Sequence, residues 1–219
     1  MRIRPLAVSL TFSLTIAVFG FVLMRSTPPD SSNSRAYNIP TRHPVTPEME
    51  KAAASLKRTP LPDFTLPDID GRLYGKTEMS KGKPSVIFFI KNNCPCSIEA
   101  QPIFNNIAKA YAGDANFYAV IDDSAEEADK YAMTNMVPFP VLLDPKKKLI
   151  GALKLVASAS YVLVDGEGKV VQLWPGYSKK TIRNVNFLLG ALSKSGARDV
   201  DDSEAPEKLT AGCAFFESP

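Results

Sequence analysis

The chain has 219 residues, of which 45% are hydrophobic, so it is long enough for one domain with appendages and an ordinary core. Its net charge of +3 is small and no basic cluster is interleaved with aromatic residues, which gives nucleic-acid binding little support. Three cysteines are too few for a disulfide framework, and His43, the single histidine, argues against zinc. We therefore expect no cofactor and no metal.

Residues 1–25 are predicted to form a transmembrane anchor or a signal segment. Arg2 and Arg4 precede the uncharged stretch from Pro5 to Met24, whose 20 residues can span a bilayer. The stretch is longer than the apolar part of most signal peptides and lacks a small-residue cleavage site, but its serines and threonines leave cleavage open. The basic N-terminus predicts a single pass through a bacterial cytoplasmic membrane, N-terminus inside, with a periplasmic domain. A cleaved segment predicts a secreted protein instead.

Residues 26–60 are predicted to be a proline-rich linker. Six prolines make this segment extended and semi-rigid, and serines and asparagines lie between them. One short helix is predicted inside it, with Thr46 as the N-cap, Pro47 at the first helical position, and an end near Leu56. The composition favours a simple spacer between the membrane and the domain.

Residues 61–192 are predicted to fold as one α/β domain. Val86 to Ile90 is a fully apolar run, which is typical of a strand buried on both faces. The pattern then becomes helical from Cys96 to about Tyr111. The other predicted elements are a strand at 116–121, a helix from Ser124 to about Met136, a strand at 137–144, a helix at 145–155, a hairpin of 160–165 and 169–174, and a helix from Ser178 to about Leu192.

Two cysteines lie where the buried strand turns into a helix. Cys94 and Cys96 are separated only by Pro95. The unsatisfied N–H groups and partial positive charge of a helix N-terminus favour a thiolate over a thiol. Because the thiolate is the nucleophile, this position predicts a reactive cysteine, and a cysteine pair outside the cytoplasm is suited to redox chemistry.

This region resembles the active site of thioredoxin-like redoxins, a superfamily that includes membrane-anchored thiol–disulfide oxidoreductases and peroxiredoxins. The resemblance covers about Leu61 to Leu192 and implies a thioredoxin-like fold, with a central mixed β-sheet flanked by helices. The usual motif is Cys-x-x-Cys followed by a helix-kinking proline. In that register Cys94 matches the attacking cysteine and Pro102 the proline, whereas Ser97 stands where the second cysteine is usual and Cys96 is one position early.

The sequence departs from both subfamilies at a second place. Oxidoreductases of this superfamily usually have a cis-proline just before the strand that corresponds to Tyr161–Val164, where it faces the cysteines and helps to hold the extended substrate chain. Here that position aligns with Ala159. Peroxiredoxins commonly have arginine there, and they have threonine three residues before the peroxidatic cysteine. This chain has Lys91 and Asn93 three residues before its two cysteines.

Residues 193–219 are predicted to be an acidic tail that is flexible up to Glu207. The stretch from Leu209 to Phe216 is more apolar, so we expect it to dock and to bring Cys213 near Cys94. A disulfide between Cys94 and Cys96 closes a very small ring and is expected to be strained. Cys213 offers a less strained partner.

These observations predict an extracytoplasmic thiol–disulfide oxidoreductase with a catalytic set of Cys94, Cys96 and Cys213. Cys94 attacks a substrate disulfide, and either Cys96 or Cys213 resolves the mixed disulfide. The expected partners are protein disulfide or dithiol substrates and an upstream redox partner, in addition to the membrane. A peroxiredoxin-like thiol peroxidase is the first alternative. A non-enzymatic copper-binding or redox-inactive accessory protein is the second.

Overall fold

The computed structural model describes residues 42–79 and 81–216. The predicted anchor, residues 1–25, and residues 26–41 of the predicted linker lie outside these described ranges. Among the helices of the described ranges, none combines the length and the apolar character that crossing a membrane requires.

The described residues form nine strands and six helices. The strands are β1 (His43–Pro44), β2 (Thr65–Pro67), β3 (Leu73–Gly75), β4 (Ser85–Ile90), β5 (Asn116–Ile121), β6 (Val141–Leu143), β7 (Ser160–Val164), β8 (Val170–Trp174) and β9 (Thr210–Ala211). The helices are α1 (Pro47–Ser55), α2 (Lys76–Met79), α3 (Pro95–Ala110), α4 (Ala125–Thr134), α5 (Lys148–Ala152) and α6 (Lys179–Leu192).

A five-stranded mixed sheet forms the centre of the fold, in the order β6-β5-β4-β7-β8. Strand β4 lies in the middle, parallel to β5 and antiparallel to β7. All six of its residues are buried, which confirms the strand predicted from its unbroken apolar run. The α/β class and the mixed sheet are therefore as predicted.

The alternation of side chains along β4 supplies a core on each face of the sheet. Val86 and Phe88 belong to one cluster with residues of α3 and α6. Ile87 and Phe89 belong to the opposite cluster, which includes residues of α1, α2 and α5. That second cluster also contains Phe215 from the predicted tail. The end of the chain is thus part of the hydrophobic core.

Helix ends follow the predicted caps, but two elements are shorter than predicted. Ser124 caps α4 by accepting a hydrogen bond from the backbone N–H of Glu127. The strand predicted at 137–144 is only β6, since Pro138 and Pro140 have no N–H to donate to a sheet. The helix predicted at 145–155 is only α5, because Lys147 has a left-handed backbone that breaks the helical path.

The described part of the predicted linker lies against the domain, which differs from the simple spacer that we expected. Helix α1 has the predicted Thr46 cap and packs against β8. Strand β1 pairs antiparallel with β9 of the tail. The backbone N–H of Arg58 donates to the Val170 carbonyl at 2.7 Å, and that of Leu61 to the Gly168 carbonyl at 2.8 Å.

The first part of the tail is also held on the surface of the domain rather than extending freely as predicted. Arg198 forms an ion pair with Asp114 at 2.6 Å, and its backbone N–H donates to the Tyr111 hydroxyl at 3.2 Å. Ala205 is buried. Exposed ion pairs each contribute little, so the backbone contacts and the buried apolar residues hold the tail more effectively.

Candidate active site

Cys94 lies at the N-cap of α3, directly after strand β4. Its backbone carbonyl accepts from the N–H groups of Ser97 at 3.0 Å and Ile98 at 3.2 Å, which begins the helix. Asn93, just before it, has φ of 57°, a left-handed conformation that asparagine tolerates better than most residues. This turn places the Cys94 side chain at the positive end of the helix, as the sequence predicts.

Two groups from distant parts of the chain donate hydrogen bonds to the Cys94 sulfur. The backbone N–H of Cys213 is 3.1 Å from Cys94 Sγ, and the Ser158 Oγ is 3.4 Å away. Burial alone raises the pKa of Cys94. Hydrogen bonds from the Cys213 thiol, from Ser158 and from the backbone N–H groups of Cys213 and Ser97 outweigh it and lower that pKa below its usual value. Cys94 is therefore the cysteine of this site that is best suited to be a thiolate.

Cys213 lies beside Cys94, as we expected from the apolar end of the tail. Burial and the hydrogen bond that its thiol gives to Cys94 raise the pKa of Cys213 to about 12. The surroundings of the two thiols therefore favour loss of the proton from Cys94 before Cys213.

Cys96 lies in the first turn of α3 and is only 1% exposed. Burial, followed by the negative charges of Cys94 and Glu99, raises the pKa of Cys96 to about 11. The Glu99 carboxylate pairs with Arg42 through one oxygen, and its other oxygen is buried without a hydrogen-bond partner. All three cysteines are free thiols in the structure. Within the described ranges, no group of three or more His, Cys, Asp or Glu side chains is arranged to hold a metal ion.

Ser158 is a site residue that the sequence analysis did not identify. Its hydroxyl accepts a hydrogen bond from Ser97 Oγ at 3.1 Å and donates to Cys94. Ser97 in turn accepts from the backbone N–H of Lys91 at 3.3 Å. The residue that stands where a second cysteine is usual thus begins a chain of hydrogen bonds that ends at the Cys94 sulfur.

The sequence alignment places Ala159 where oxidoreductases of this superfamily have the proline that faces the cysteines. In the structure the Ala159 backbone has φ of 55°, and its N–H donates to the Phe89 carbonyl at 2.9 Å. The side chain that faces Cys94 is that of the preceding residue, Ser158. The run Ala157-Ser158-Ala159-Ser160 was the available signal, because it is the segment expected to face the cysteines.

The fold and the dithiol site define a thioredoxin-like redoxin. Residues 58–173, more than half of the chain, match the AhpC/TSA family, and the chain belongs to this family. The resemblance drawn from the sequence is thereby confirmed. A comparison with curated proteins found no significant match.

Solved structures share the fold. An uncharacterized conserved protein from Geobacillus kaustophilus aligns with a TM-score of 0.62 and 22% identity, over 74% of this chain and 93% of that one. A putative protein disulfide isomerase from Bacteroides thetaiotaomicron gives 0.58 and 23%, over 64% and 91%. A putative thiol:disulfide interchange protein DsbE from Chlorobium tepidum gives 0.58 and 22%, over 63% and 97%. At these identities the similarity shows a common fold.

Replacing Ser158 with alanine is expected to slow alkylation of Cys94 by iodoacetamide about tenfold at a pH below the pKa of Cys94, because a hydrogen bond to a charged group is lost. A lost donor raises the pKa, so a smaller fraction of Cys94 is thiolate at that pH. The rate should be followed as a function of pH by mass spectrometry. Ser160→Ala is the matched control, since this buried hydroxyl donates to the Ala157 carbonyl instead. Identical pH profiles for the two variants would contradict the assigned role.

Proposed function

We propose that this protein is a thiol–disulfide oxidoreductase whose nucleophile is Cys94. The observation that carries the proposal is the environment of the Cys94 sulfur. Cys94 lies at the N-terminus of α3, and its sulfur accepts hydrogen bonds from the Ser158 hydroxyl and the Cys213 backbone N–H. These groups stabilise a thiolate, the form that attacks disulfides. The family and the structural neighbours, two of which carry disulfide-exchange names, support an oxidoreductase.

The proposed reaction moves two electrons from the protein to a substrate disulfide. The Cys94 thiolate attacks one sulfur of the substrate, a bond forms between them, and the other substrate sulfur leaves as a thiolate that takes a proton. A second protein thiol then gives up its proton and attacks Cys94 Sγ. The second substrate thiol is released, and the protein holds a new disulfide. An external thiol reductant restores the starting state, and the reverse sequence oxidises a substrate dithiol.

We propose Cys213 as the cysteine that resolves the mixed disulfide. Its backbone N–H lies 3.1 Å from Cys94 Sγ, and it lies on a segment outside any helix. Cys96 is held in the first turn of α3 with only Pro95 between it and Cys94, so a disulfide between those two closes a very small ring and is expected to be strained. A disulfide between Cys94 and Cys213 joins two separate segments and is free of that constraint.

A thiol peroxidase is the second candidate function. Cys94 is only 1% exposed, and a peroxide is small enough to reach a sulfur that a folded substrate cannot. In that reaction the thiolate attacks one peroxide oxygen, an alcohol or water leaves, and Cys94 becomes a sulfenic acid. Cys213 then condenses with it, releasing water and forming the same disulfide.

One comparison separates the two functions. The full-length protein is supplied with a thiol reductant and either a disulfide-bonded protein or an alkyl hydroperoxide, and consumption of the reductant is followed. Faster turnover with the protein disulfide supports the proposed function. Turnover confined to the hydroperoxide supports the peroxidase. Heat-denatured protein serves as the control for the uncatalysed exchange.

We also propose that the domain acts outside the cytoplasm, attached to the membrane by residues 1–25. The uncharged stretch after Arg2 and Arg4 supports this location. The full-length protein is expected to fractionate with membranes and to be digested by protease added from the periplasmic side. Recovery of a soluble form that starts between Arg25 and Ala36 would show a cleaved signal segment instead. The proposed partners are periplasmic proteins with disulfides or dithiols and an upstream redox partner.

A further inference from the structure

The end of the tail runs antiparallel to the segment that precedes β7 and is joined to it by backbone hydrogen bonds. The Gly212 N–H donates to the Ser158 carbonyl at 2.9 Å, and the Ser158 N–H donates to the Cys213 carbonyl at 3.0 Å. Ala214 bridges Ala157, and the Phe215 N–H donates to the Val156 carbonyl at 2.9 Å. Residues 212–215 thus run antiparallel to 156–158 through irregular backbone hydrogen bonds, with a cysteine directly beside Cys94.

Two residues of this segment, Gly212 and Phe215, fit tightly against the domain. A Cβ on Gly212 would lie 2.2 Å from Ser158 Oγ and 3.0 Å from the Ser158 carbonyl carbon, so the position before the cysteine accepts only glycine without displacement. Phe215, two residues after the cysteine, is 1% exposed and belongs to the core cluster that includes Leu149. Ala214 is exposed between them. The tail therefore presents the pattern Gly-Cys-x-aromatic to this surface.

We propose that the tail is an intramolecular substitute for the polypeptide substrate, held against residues 156–158 beside Cys94, and that a substrate chain binds there only in its place. This inference rests on the proposed function, because it identifies the substrate of the same cysteine. Cys94 is almost fully covered, and the Cys213 backbone is 3.1 Å from its sulfur. A polypeptide cystine therefore reaches Cys94 only when the tail has moved aside.

The features of the tail predict those of the substrate segment that replaces it. Strand addition obtains affinity from main-chain hydrogen bonds and specificity from alternate side chains. The substrate is an extended segment, antiparallel to 156–158, whose cysteine follows a glycine and precedes an aromatic residue by two positions. When the tail returns, it displaces this segment and brings Cys213 to the mixed disulfide. Resolution and product release thus occur in one movement.

Binding of a peptide with the tail sequence tests this inference without thiol chemistry. The probe is a fluorescein-labelled peptide of residues 209–216 in which serine replaces the cysteine, and fluorescence anisotropy measures its affinity for the full-length protein. In Gly212→Val the added side chain displaces the tail, so we expect affinity about tenfold or more above wild type, since the vacant surface is more populated. Gly151→Ala is the control, because its added Cβ has no neighbour closer than 3.9 Å.

Phe215→Ala is a second variant, which loosens the tail by removing its buried anchor in case Gly212→Val does not fold. Peptides with valine for the glycine, or alanine for the first phenylalanine, are expected to bind at least about tenfold more weakly than the parent peptide. Equal binding to wild type and to both variants, or indifference to these two peptide changes, would overturn the inference. If the peptide binds as expected but the same peptide with its cysteine restored and held in a disulfide is not reduced, the surface assignment stands and the proposed function fails.

Discussion

Replacing Cys94 with serine is expected to lower disulfide-exchange turnover by at least about three orders of magnitude, as the loss of a covalent nucleophile does in other enzymes. The hydroxyl is nearly the same size as the thiol and accepts hydrogen bonds from Ser158 and Cys213, so the fold should be unaffected. It is not ionised at neutral pH and cannot form a disulfide. The measurement is reduction of a disulfide-bonded protein by the full-length variant with a thiol reductant.

Cys96→Ser provides the matched comparison, since the same substitution is made at a buried thiol two residues along. Thermal unfolding of both variants checks that they are folded. If Cys94→Ser remains active while Cys96→Ser is inactive, the active-site register is wrong. Cys96 is then the attacking residue, and the peroxiredoxin-like assignment gains support.

Replacing Cys213 with serine is expected to stop the reaction after its first step. Cys94 still attacks, but the neighbouring Cys213 thiol is gone, so a mixed disulfide between Cys94 and the substrate should accumulate. Turnover should fall at least about a hundredfold, because an external thiol must replace a group that is already positioned. The mixed disulfide is detected by non-reducing electrophoresis and located by mass spectrometry.

The same experiment with Cys96→Ser shows which thiol resolves. We expect the mixed disulfide to accumulate in Cys213→Ser to a much greater extent than in Cys96→Ser. Accumulation in Cys96→Ser alone would assign resolution to Cys96 and leave Cys213 with a role in stabilising the Cys94 thiolate. Accumulation in neither variant would mean that each thiol can replace the other.

The central sheet and the position of Cys94 at the start of α3 could be predicted from local sequence patterns. A short unbroken apolar run such as Val86–Ile90 is typical of a strand covered on both faces, and in the structure it forms the buried strand β4. Ser124 and Ser178 fixed the starts of two helices because a capping side chain acts within three residues of its own position. These signals are local, so the sequence contains them directly.

Contacts between distant parts of the chain could not be predicted in this way. Ser158 reaches Cys94 because β7 pairs with β4 and the backbone turns at Ala159, which depends on the whole sheet. The pairing of β1 with β9 joins a segment that looks like a spacer to the apolar end of the tail. The proline-rich composition of the linker does not indicate this partner, which only the folded domain supplies.

The end of the tail is intermediate between these cases. Its apolar character correctly predicted that it docks, and the unpaired third cysteine suggested where. The backbone hydrogen bonds with 156–158 and the burial of Phe215 in the core follow from long-range geometry that composition does not encode. The requirement for glycine at 212 became visible only when the Ser158 backbone was found against it.

The pairing of Cys94 with Cys213 is the central claim, and a disulfide map of the oxidised full-length protein tests it most directly. The protein is oxidised with a limiting amount of a small disulfide, its free thiols are blocked at low pH, and the cross-linked peptides are identified by mass spectrometry. The predicted result is a disulfide between Cys94 and Cys213, with Cys96 recovered as a blocked free thiol. A map that shows Cys94 bonded to Cys96, with Cys213 recovered only as a free thiol, would contradict it.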